Sequence, residues 1–214
     1  MRAVIKIGGS LAKSPEELRA LMQSIEDLSS RHTLVIVPGG GPFADNVREL
    51  QGALNASDAS AHWMAILAME QFGELLSQYT PKLEVFRGRE VLEMMAKERS
   101  FILQPYRLIR TKDELPHTWN VTSDSIAVWV AILVDADLVV LAKSTDEFHN
   151  LYESPGGSGA RPLEIDGIRS LVKNRIVDSY VPMVYPHFKG ALHVIDGRKQ
   201  GILDQILQKE DQNR

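Results

Sequence analysis

The amino-acid sequence predicts an α/β fold with a mostly parallel sheet that helices cover on both faces. Short runs such as TLVIV are apolar almost throughout, which is typical of strands buried on both sides. These runs alternate along the chain with longer segments whose apolar residues recur at the helical period. Glycine-rich turns follow two of the predicted strands and mark the change from strand to helix.

The N-terminal half of the chain begins with a strand, RAVIKI, which is short and rich in β-branched residues. The segment SPEELRALMQSIEDL follows as a helix, because Ser14, Pro15 and Glu17 form the signature of a capping box with proline at the first helical position. TLVIV is the second strand. GGGPFADNVREL then turns into a helix with Pro42 in its first turn, and a long helix is expected from about Asp58.

The C-terminal half continues the alternation of strands and helices. A short strand is predicted at 83–86, followed by a helix in GREVLEMMAKE and a strand in FILQ. TSDSIAVWVAILV is a helix capped by Thr122 or Ser123, and DLVVLAK is the strand after it. YESPGGSGARPLEI is a loop by composition. A helical region at 167–181, the strand ALHVID and the helix GILDQIL complete the fold.

Composition narrows the class of protein. The 214 residues include no cysteine, which excludes disulfides, thiolate zinc sites and cysteine nucleophiles. The net charge of −4 gives no basic field for nucleic acid or an anionic membrane, and no apolar run is long enough to span a bilayer. We expect a cytoplasmic protein with one domain over residues 1–208 and a frayed tail at 209–214.

Three polar or glycine-rich turns fall at the carboxyl ends of predicted strands, where open α/β sheets bind their ligands. Each is either a tight connection or part of an anion site, and two glycine turns that precede helices favour the anion site, because helix N-termini offer free N–H groups. No P-loop, dinucleotide-binding or protein-kinase motif is present. The three turns are Gly8, Gly9 and Ser10; Gly39, Gly40 and Gly41; and Ser144, Thr145 and Asp146.

Four segments in order resemble the motifs of the amino acid kinase superfamily. They are the lysine before GGS, then VPGGGPFAD, TSDSIAVWVA and DADLVVLAKSTD, and the resemblance extends from residue 3 to about 165. It implies an αβα sandwich around a central, mainly parallel sheet. It also implies ATP-dependent phosphoryl transfer with Mg²⁺, on a small-molecule substrate, in a homo-oligomer of two or more copies.

The resemblance assigns catalytic roles to Lys6 and Asp124. Lys6 reaches from the first strand to the transferred phosphoryl group, which suits a compact positive charge. Asp124 orients the catalytic lysines. Without the family pattern, a strand lysine that extends to the surface is the favoured account of Lys6. Asp124 is also a first-turn aspartate of the kind that the helix dipole favours, and the two roles are compatible.

The remaining site residues also come from the resemblance, which implies no protein metal ligand. Lys173 is a second candidate lysine, although a solvated helix position is the favoured account of it. The phosphate- and ATP-binding set is Gly8, Gly9, Ser10, Lys143, Ser144, Thr145 and Asp146. The acceptor-binding set is Gly39, Gly40, Gly41 and Ser123.

Within the superfamily, WNVTSDSIAVWVA and AILAMEQFGELL resemble the small kinases of methanofuran biosynthesis. Those enzymes phosphorylate aminomethylfuran phosphate to the diphosphate. Trp63, Met64 and Met69 then lie near the acceptor or, alternatively, pack in the core, and His117 and Trp119 either line the acceptor pocket or pack in a loop.

The acceptor is expected to be an anion, because the sequence shows no motif for a general base that would deprotonate a hydroxyl group. A phosphate monoester is the first choice and a carboxylate the second. A non-catalytic relative that binds a nucleotide or an oxyanion is the remaining alternative.

Overall fold

The computed structural model describes residues 1–88, 93, 97–144 and 162–213. Within them a six-stranded sheet has the order β3-β4-β2-β1-β5-β6, and every pair of neighbouring strands is parallel. The α/β prediction is confirmed. The strands are Arg2–Ile7 (β1), Thr33–Pro38 (β2), Glu84–Phe86 (β3), Phe101–Leu103 (β4), Leu138–Lys143 (β5) and Ala191–Asp196 (β6).

Helices connect the strands and cover the sheet on both faces. Two 3₁₀ turns, Gly9–Lys13 and Tyr185–His187, accompany them. In the described part of the chain, no helix is both long enough and apolar enough to cross a bilayer. The helices are Pro15–Leu28 (α1), Gly41–Leu54 (α2), Asp58–Ser77 (α3), Tyr106–Lys112 (α4), Ser123–Leu133 (α5), Ile165–Lys173 (α6), Val181–Val184 (α7) and Ile202–Gln212 (α8).

The core is divided by the sheet into two layers, as the alternation of side chains along a strand requires. Val4, Val35 and Val139 point into the layer that holds α5 and α6. Ile5 and Ile36 point into the opposite layer, against α1 and α8. Both layers are apolar, so the strands have no polar face, and this is why they read as near-continuous hydrophobic runs.

The capping prediction at α1 is only half right. Ser14 is the N-cap residue, but its side chain makes no capping hydrogen bond. The chain enters α1 directly from a 3₁₀ turn, and the Ser14 N–H donates to the carbonyl of Leu11 at 2.9 Å. The backbone of that turn sets the conformation of Ser14, so the capping box does not form.

Two helical regions in the second half also differ from what the sequence predicts. The region 167–181 contains α6, which begins earlier at Ile165 and ends at Lys173, and α7 starts only at Val181. Helix α4 was not predicted, because seven residues are too few to show a helical period. Most of GREVLEMMAKE and of YESPGGSGARPLEI lies outside the described residues.

Helix α8 continues through residues 209–212, which were expected to form a frayed tail. These positions carry no apolar residue, so the hydrophobic pattern gives no sign of a helix there. Polar contacts hold them instead: Glu210 lies 3.0 Å from the Nε2 atom of the buried His193, and Asp211 lies 3.8 Å from the N-terminal ammonium group.

Candidate active site

Three strand ends bring the predicted site residues to one edge of the sheet. Strand β1 lies between β2 and β5, and all three run in the same direction. Their carboxyl ends therefore lie side by side, followed by the two glycine turns and by Ser144. Strands β2, β4 and β3 lie on one side of β1, and β5 and β6 lie on the other. The carboxyl end of β1 is therefore the topological switch point, where such sheets bind ligands.

Lys6, Asp124 and Lys143 form one buried charge cluster at this edge. The Nζ atom of Lys6 lies 2.9 Å from Oδ1 of Asp124, and the Nζ atom of Lys143 lies 2.5 Å from Oδ2. The Lys143 contact is an aligned hydrogen bond, whereas the Lys6 contact has the distance of an ion pair without that alignment. A single carboxylate thus holds two lysines from neighbouring strands, and the cluster carries a net positive charge.

Burial and charge shift the pKa values of this cluster in opposite directions. Burial lowers the pKa of Lys6 to about 8, and Lys143 contributes in the same direction while Asp124 partly compensates. Burial alone would raise the pKa of Asp124, but the adjacent Lys143 and Lys6 lower it to about 2. Asp124 is therefore ionised at neutral pH, and Lys6 is close to its titration point.

A second buried carboxylate, Asp178, supports Asp124. Its Oδ2 atom accepts hydrogen bonds from the backbone N–H and hydroxyl groups of Thr122, at 3.0 and 2.8 Å. The same atom accepts two more from the N–H and hydroxyl groups of Ser125, both at 3.0 Å. The backbone N–H of Asp178 donates to Oδ2 of Asp124 at 3.2 Å. Burial raises the pKa of Asp178, and the negative charge of Asp124 adds to this.

Sequence reasoning offered Thr122 or Ser123 as the cap of α5, and Thr122 does occupy the N-cap position, but it missed Asp178. Thr122 is the N-cap residue, but its hydroxyl group donates to Asp178 instead of accepting from the helix. The capping oxygen comes from a residue more than 50 positions away, and no local pattern reveals a contact at that distance. The local signal was an acidic residue within the largely apolar stretch IVDSYVPMV.

The two glycine turns pack directly against each other. A Cβ atom on Gly9 would lie 2.2 Å from the nitrogen of Gly41, and one on Gly39 would lie 2.6 Å from the nitrogen of Gly9. Gly41 also has a φ of +55°, which favours glycine. Close packing of the backbone is therefore sufficient to explain these glycines, whether or not an anion binds there.

Two of the predicted backbone donors are already engaged within the sheet. The N–H of Gly8 donates to the carbonyl of Ala142, and that of Gly39 donates to the carbonyl of Ile7, each at 2.8 Å. Gly8 and Gly39 thus belong to the frame of the site and do not offer N–H groups to a ligand. The other backbone N–H groups of the two turns belong to Gly9, Ser10, Gly40 and Gly41.

A cavity of about 230 Å³ opens beside the glycine turns, between α2, α3 and the N-terminus of α5. Met69 lies in its wall while also belonging to the core, and Trp119 lines it as well. Trp63 packs against the core outside this wall, and Met64 is exposed. Of the predicted site residues, those that line the cavity are Gly9, Ser10, Gly40, Gly41 and Ser123.

Four charged or titratable residues of the same cavity were not predicted: Lys13, Asp45, Arg48 and His62. His62 is buried, and its Nε2 atom has no hydrogen-bond partner among the residues that the structure describes. Burial lowers the pKa of His62 to about 4, and the stacked His117 ring adds to this, so the imidazole is neutral at pH 7. The cavity wall thus combines two cations, one carboxylate and apolar surface.

The remaining predicted residues are placed as follows. Ser144 directly follows β5, whereas Thr145 and Asp146 lie outside the described residues. Lys173 is exposed at the end of α6, which agrees with a solvated helix lysine. Across the described ranges, no group of three or more histidine, aspartate or glutamate residues is positioned to hold a metal ion.

Comparison with known proteins agrees with this architecture. Over 205 residues the chain is 29% identical to the [5-(aminomethyl)furan-3-yl]methyl phosphate kinase of Methanocaldococcus jannaschii, covering 96% of this chain and 92% of that one. It is 25% identical to the uridylate kinase of Methanosarcina barkeri, over 78% of this chain and 69% of that protein.

Solved structures share the fold. The uridylate kinase of Archaeoglobus fulgidus superposes with a TM-score of 0.69 at 21% identity, covering 99% of this chain and 96% of that one. The UMP kinase of Ureaplasma parvum gives 0.66 at 17% identity, over 98% and 96% of the two chains. Residues 1–159, most of the chain, match the amino acid kinase family. The chain belongs to the amino acid kinase family and is a phosphotransferase of that family.

Proposed function

We propose that this protein transfers the γ-phosphoryl group of ATP to a phosphate monoester, with aminomethylfuran phosphate as the specific acceptor. The observation that carries the proposal is the buried cluster of Lys6, Asp124 and Lys143 beside the glycine turns. Phosphoryl transfer requires charge stabilisation and alignment more than covalent catalysis, and this cluster supplies positive charge at a fixed position. The identity of the acceptor is supported by the similarity to the Methanocaldococcus jannaschii kinase.

In this proposal each residue of the cluster has a distinct role. Lys6 and Lys143 bind the oxygens of the transferred phosphoryl group and stabilise the charge that develops on them. Asp124 positions both ammonium groups and offsets the repulsion between them. The N–H groups of Gly9 and Gly40 lie at the starts of a 3₁₀ turn and of α2, and they are proposed to bind phosphate oxygens there.

The reaction needs no base if the acceptor is an ionised phosphate. An acceptor oxygen attacks the γ-phosphorus, and the bond between that phosphorus and the β–γ bridging oxygen breaks with its electron pair leaving on ADP. The products are ADP and the diphosphate of the acceptor. Since the attacking oxygen is already deprotonated near neutral pH, the protein has only to align it and to offset its charge.

Mg²⁺ is proposed to arrive with ATP. Asp124 uses both of its oxygens on lysines, and the described residues offer no carboxylate cluster, so the ion would be held mainly by the β- and γ-phosphate oxygens and water. When bound, the ion neutralises charge on these oxygens. Ser144 lies at the end of β5, and together with Thr145 and Asp146 it is proposed to contact the nucleotide.

Incubation of the protein with ATP, Mg²⁺ and each acceptor class, followed by phosphorus NMR, tests the proposal. A phosphate monoester should give a diphosphate, which shows a coupled pair of signals. Formation of an acyl phosphate that hydroxylamine traps would instead favour a carboxylate kinase of the acetylglutamate type. ATP binding without any transfer would favour a non-catalytic relative. Efficient transfer to a neutral alcohol, with both anionic classes inert, would contradict an anionic acceptor.

The proposal extends to organisation and location. Residues 1–208 are taken as one kinase domain, acting in the cytoplasm as a homo-oligomer of two or more copies. Oligomer formation is supported by apolar residues exposed on α2 and α3, two helices that pack together. These residues are Leu50, Leu54, Met64, Leu67 and Leu75.

A further inference from the structure

The cavity beside the glycine turns has one wall built from an arginine and a tryptophan. The guanidinium carbon of Arg48 lies 4.3 Å from the ring centroid of Trp119. The Nη1 atom of Arg48 lies 2.9 Å from Oδ1 of Asp45, and the indole N–H of Trp119 donates to Oε1 of Gln51 at 2.5 Å. Both members of the pair are therefore held by a second contact.

These contacts fix the guanidinium without saturating it. Stacking on the Trp119 ring restricts the rotamers of Arg48 before any ligand binds, so less side-chain entropy is lost when the arginine binds an anion. The Arg48 side chain is still 51% exposed, and the exposed ion pair with Asp45 contributes little energy. The hydrogen bond to Asp45 uses an N–H of Nη1, and a guanidinium group has five N–H donors in all.

The position of Arg48 on α2 places its side chain on the side of the cavity that the second glycine turn lines. Helix α2 begins at Gly41, and Arg48 follows about two turns later. Side chains of a helix lean toward its N-terminus, and the contact with Asp45 shows that the guanidinium lies over the preceding turn. Arg48 and Lys13 thus line the same space as the N–H groups of Gly40 and Gly41.

We propose that Arg48, braced by Trp119, binds the two non-attacking oxygens of the acceptor's phosphate and thereby selects phosphate monoesters over carboxylates. This inference rests on the proposed kinase function and assigns a specificity-determining residue to it. A phosphate monoester has three terminal oxygens. One attacks ATP, and the other two match the planar fork of a guanidinium group.

A carboxylate acceptor fits this arrangement poorly. If one of its two oxygens attacks the γ-phosphorus, a single oxygen remains, and the bidentate contact is lost. The charge of the cavity wall also favours a phosphate monoester over a carboxylate. Lys13, Arg48 and Asp45 give the charged wall a net charge of +1, which complements a phosphate monoester carrying about −1.5 to −2 at pH 7 better than a carboxylate carrying one charge.

The test compares Arg48→Ala and Arg48→Lys with the wild type, using aminomethylfuran phosphate and ATP. Loss of a charge-assisted bidentate contact should raise KM for the phosphate acceptor by roughly ten- to a hundredfold, with KM for ATP within about twofold. Arg48→Lys should recover only part of this loss, because an ammonium group cannot bind two oxygens as a fork.

Arg110→Ala is the matched control. Arg110 lies 4.3 Å over Trp63, so the variant removes the same kind of contact from an exposed arginine outside the cavity wall, and both KM values should stay unchanged. A wild-type protein inert toward every phosphate monoester would refute the kinase proposal and this inference with it. A wild type active on the monoester, with Arg48→Ala or Arg48→Lys equal to it in KM or altered equally toward ATP, would overturn the inference alone.

Discussion

Lys6 is a buried lysine whose charge depends on one neighbouring carboxylate. Its side chain is 5% exposed, and Asp124 is the acid that faces it at 2.9 Å. The sequence singled out both residues through the family resemblance, because a charge inside a buried strand and an acid at a helix start each have an ordinary structural explanation on their own. It could not show that Lys143 shares the same carboxylate, since that contact depends on strand β5 pairing with β1.

The lowered pKa of Lys6 predicts a loss of ATP affinity at alkaline pH. If the charged form binds the phosphates, affinity should fall as pH rises through about 8, by up to tenfold per unit. The contribution of Lys6 to the free energy of unfolding should instead increase as the pH rises. The folded state binds fewer protons than the unfolded state between about pH 8 and 10.5, so this group makes the protein more stable as pH rises through that window. Titration calorimetry and denaturant unfolding from pH 7 to 10 separate the two effects. An ATP affinity that stays constant over this range, with folding intact, would contradict the role of Lys6.

At the scale of elements, helix α5 is the part that holds the site together. Its start presents Asp124 to the lysines, and the carboxylate that caps it arrives from the loop before α7. The sequence predicted this helix and its strand neighbours well, because their apolar patterns are long and regular. It could not predict that Asp178 supplies the capping oxygen, nor the Arg48–Trp119 pair, since both contacts join segments that are far apart in the chain.

Replacing the capping carboxylate should weaken both the helix start and catalysis. Asp178→Ala leaves four donors from Thr122 and Ser125 without their acceptor, which should cost about 1–3 kcal/mol in the free energy of unfolding. Turnover should fall more than tenfold, because the start of α5 that carries Asp124 loses its anchor. A tenfold fall corresponds to about 1.4 kcal/mol in the activation free energy. Asp178→Asn keeps an oxygen acceptor and should recover much of both. Wild-type turnover in a folded Asp178→Ala protein would contradict a role for Asp178 in positioning Asp124.

At the scale of the whole molecule, the parallel sheet and its two apolar layers follow from a hydrophobic pattern spread over the entire chain. The fold was therefore predictable, and its agreement with solved uridylate kinase structures supports it. The cavity was not predictable, because its wall collects residues from α2, α3 and the loop before α5. The apolar residues exposed on α2 and α3 form the surface on which the proposed oligomer rests.

A charge placed on that surface should dissociate the proposed oligomer. Leu67 is 41% exposed on α3, and Leu67→Glu should shift the molar mass measured by light scattering toward that of a monomer, because burying an unpaired carboxylate is costly. Met183 is 64% exposed on α7, away from these helices, and Met183→Glu serves as the control with no expected change. A wild-type protein that is monomeric at micromolar concentration would refute this part of the proposal.

The central claim is that phosphoryl transfer occurs at the cluster built around Lys6. The most direct measurement is the single-turnover rate of transfer from ATP to aminomethylfuran phosphate by wild-type protein and by Lys6→Ala, with folding checked by circular dichroism. Removal of one preorganised donor predicts a rate lower by roughly 10²–10³ with the fold retained. A folded Lys6→Ala protein that keeps more than about a tenth of the wild-type rate, a loss far below that range, would contradict the claim.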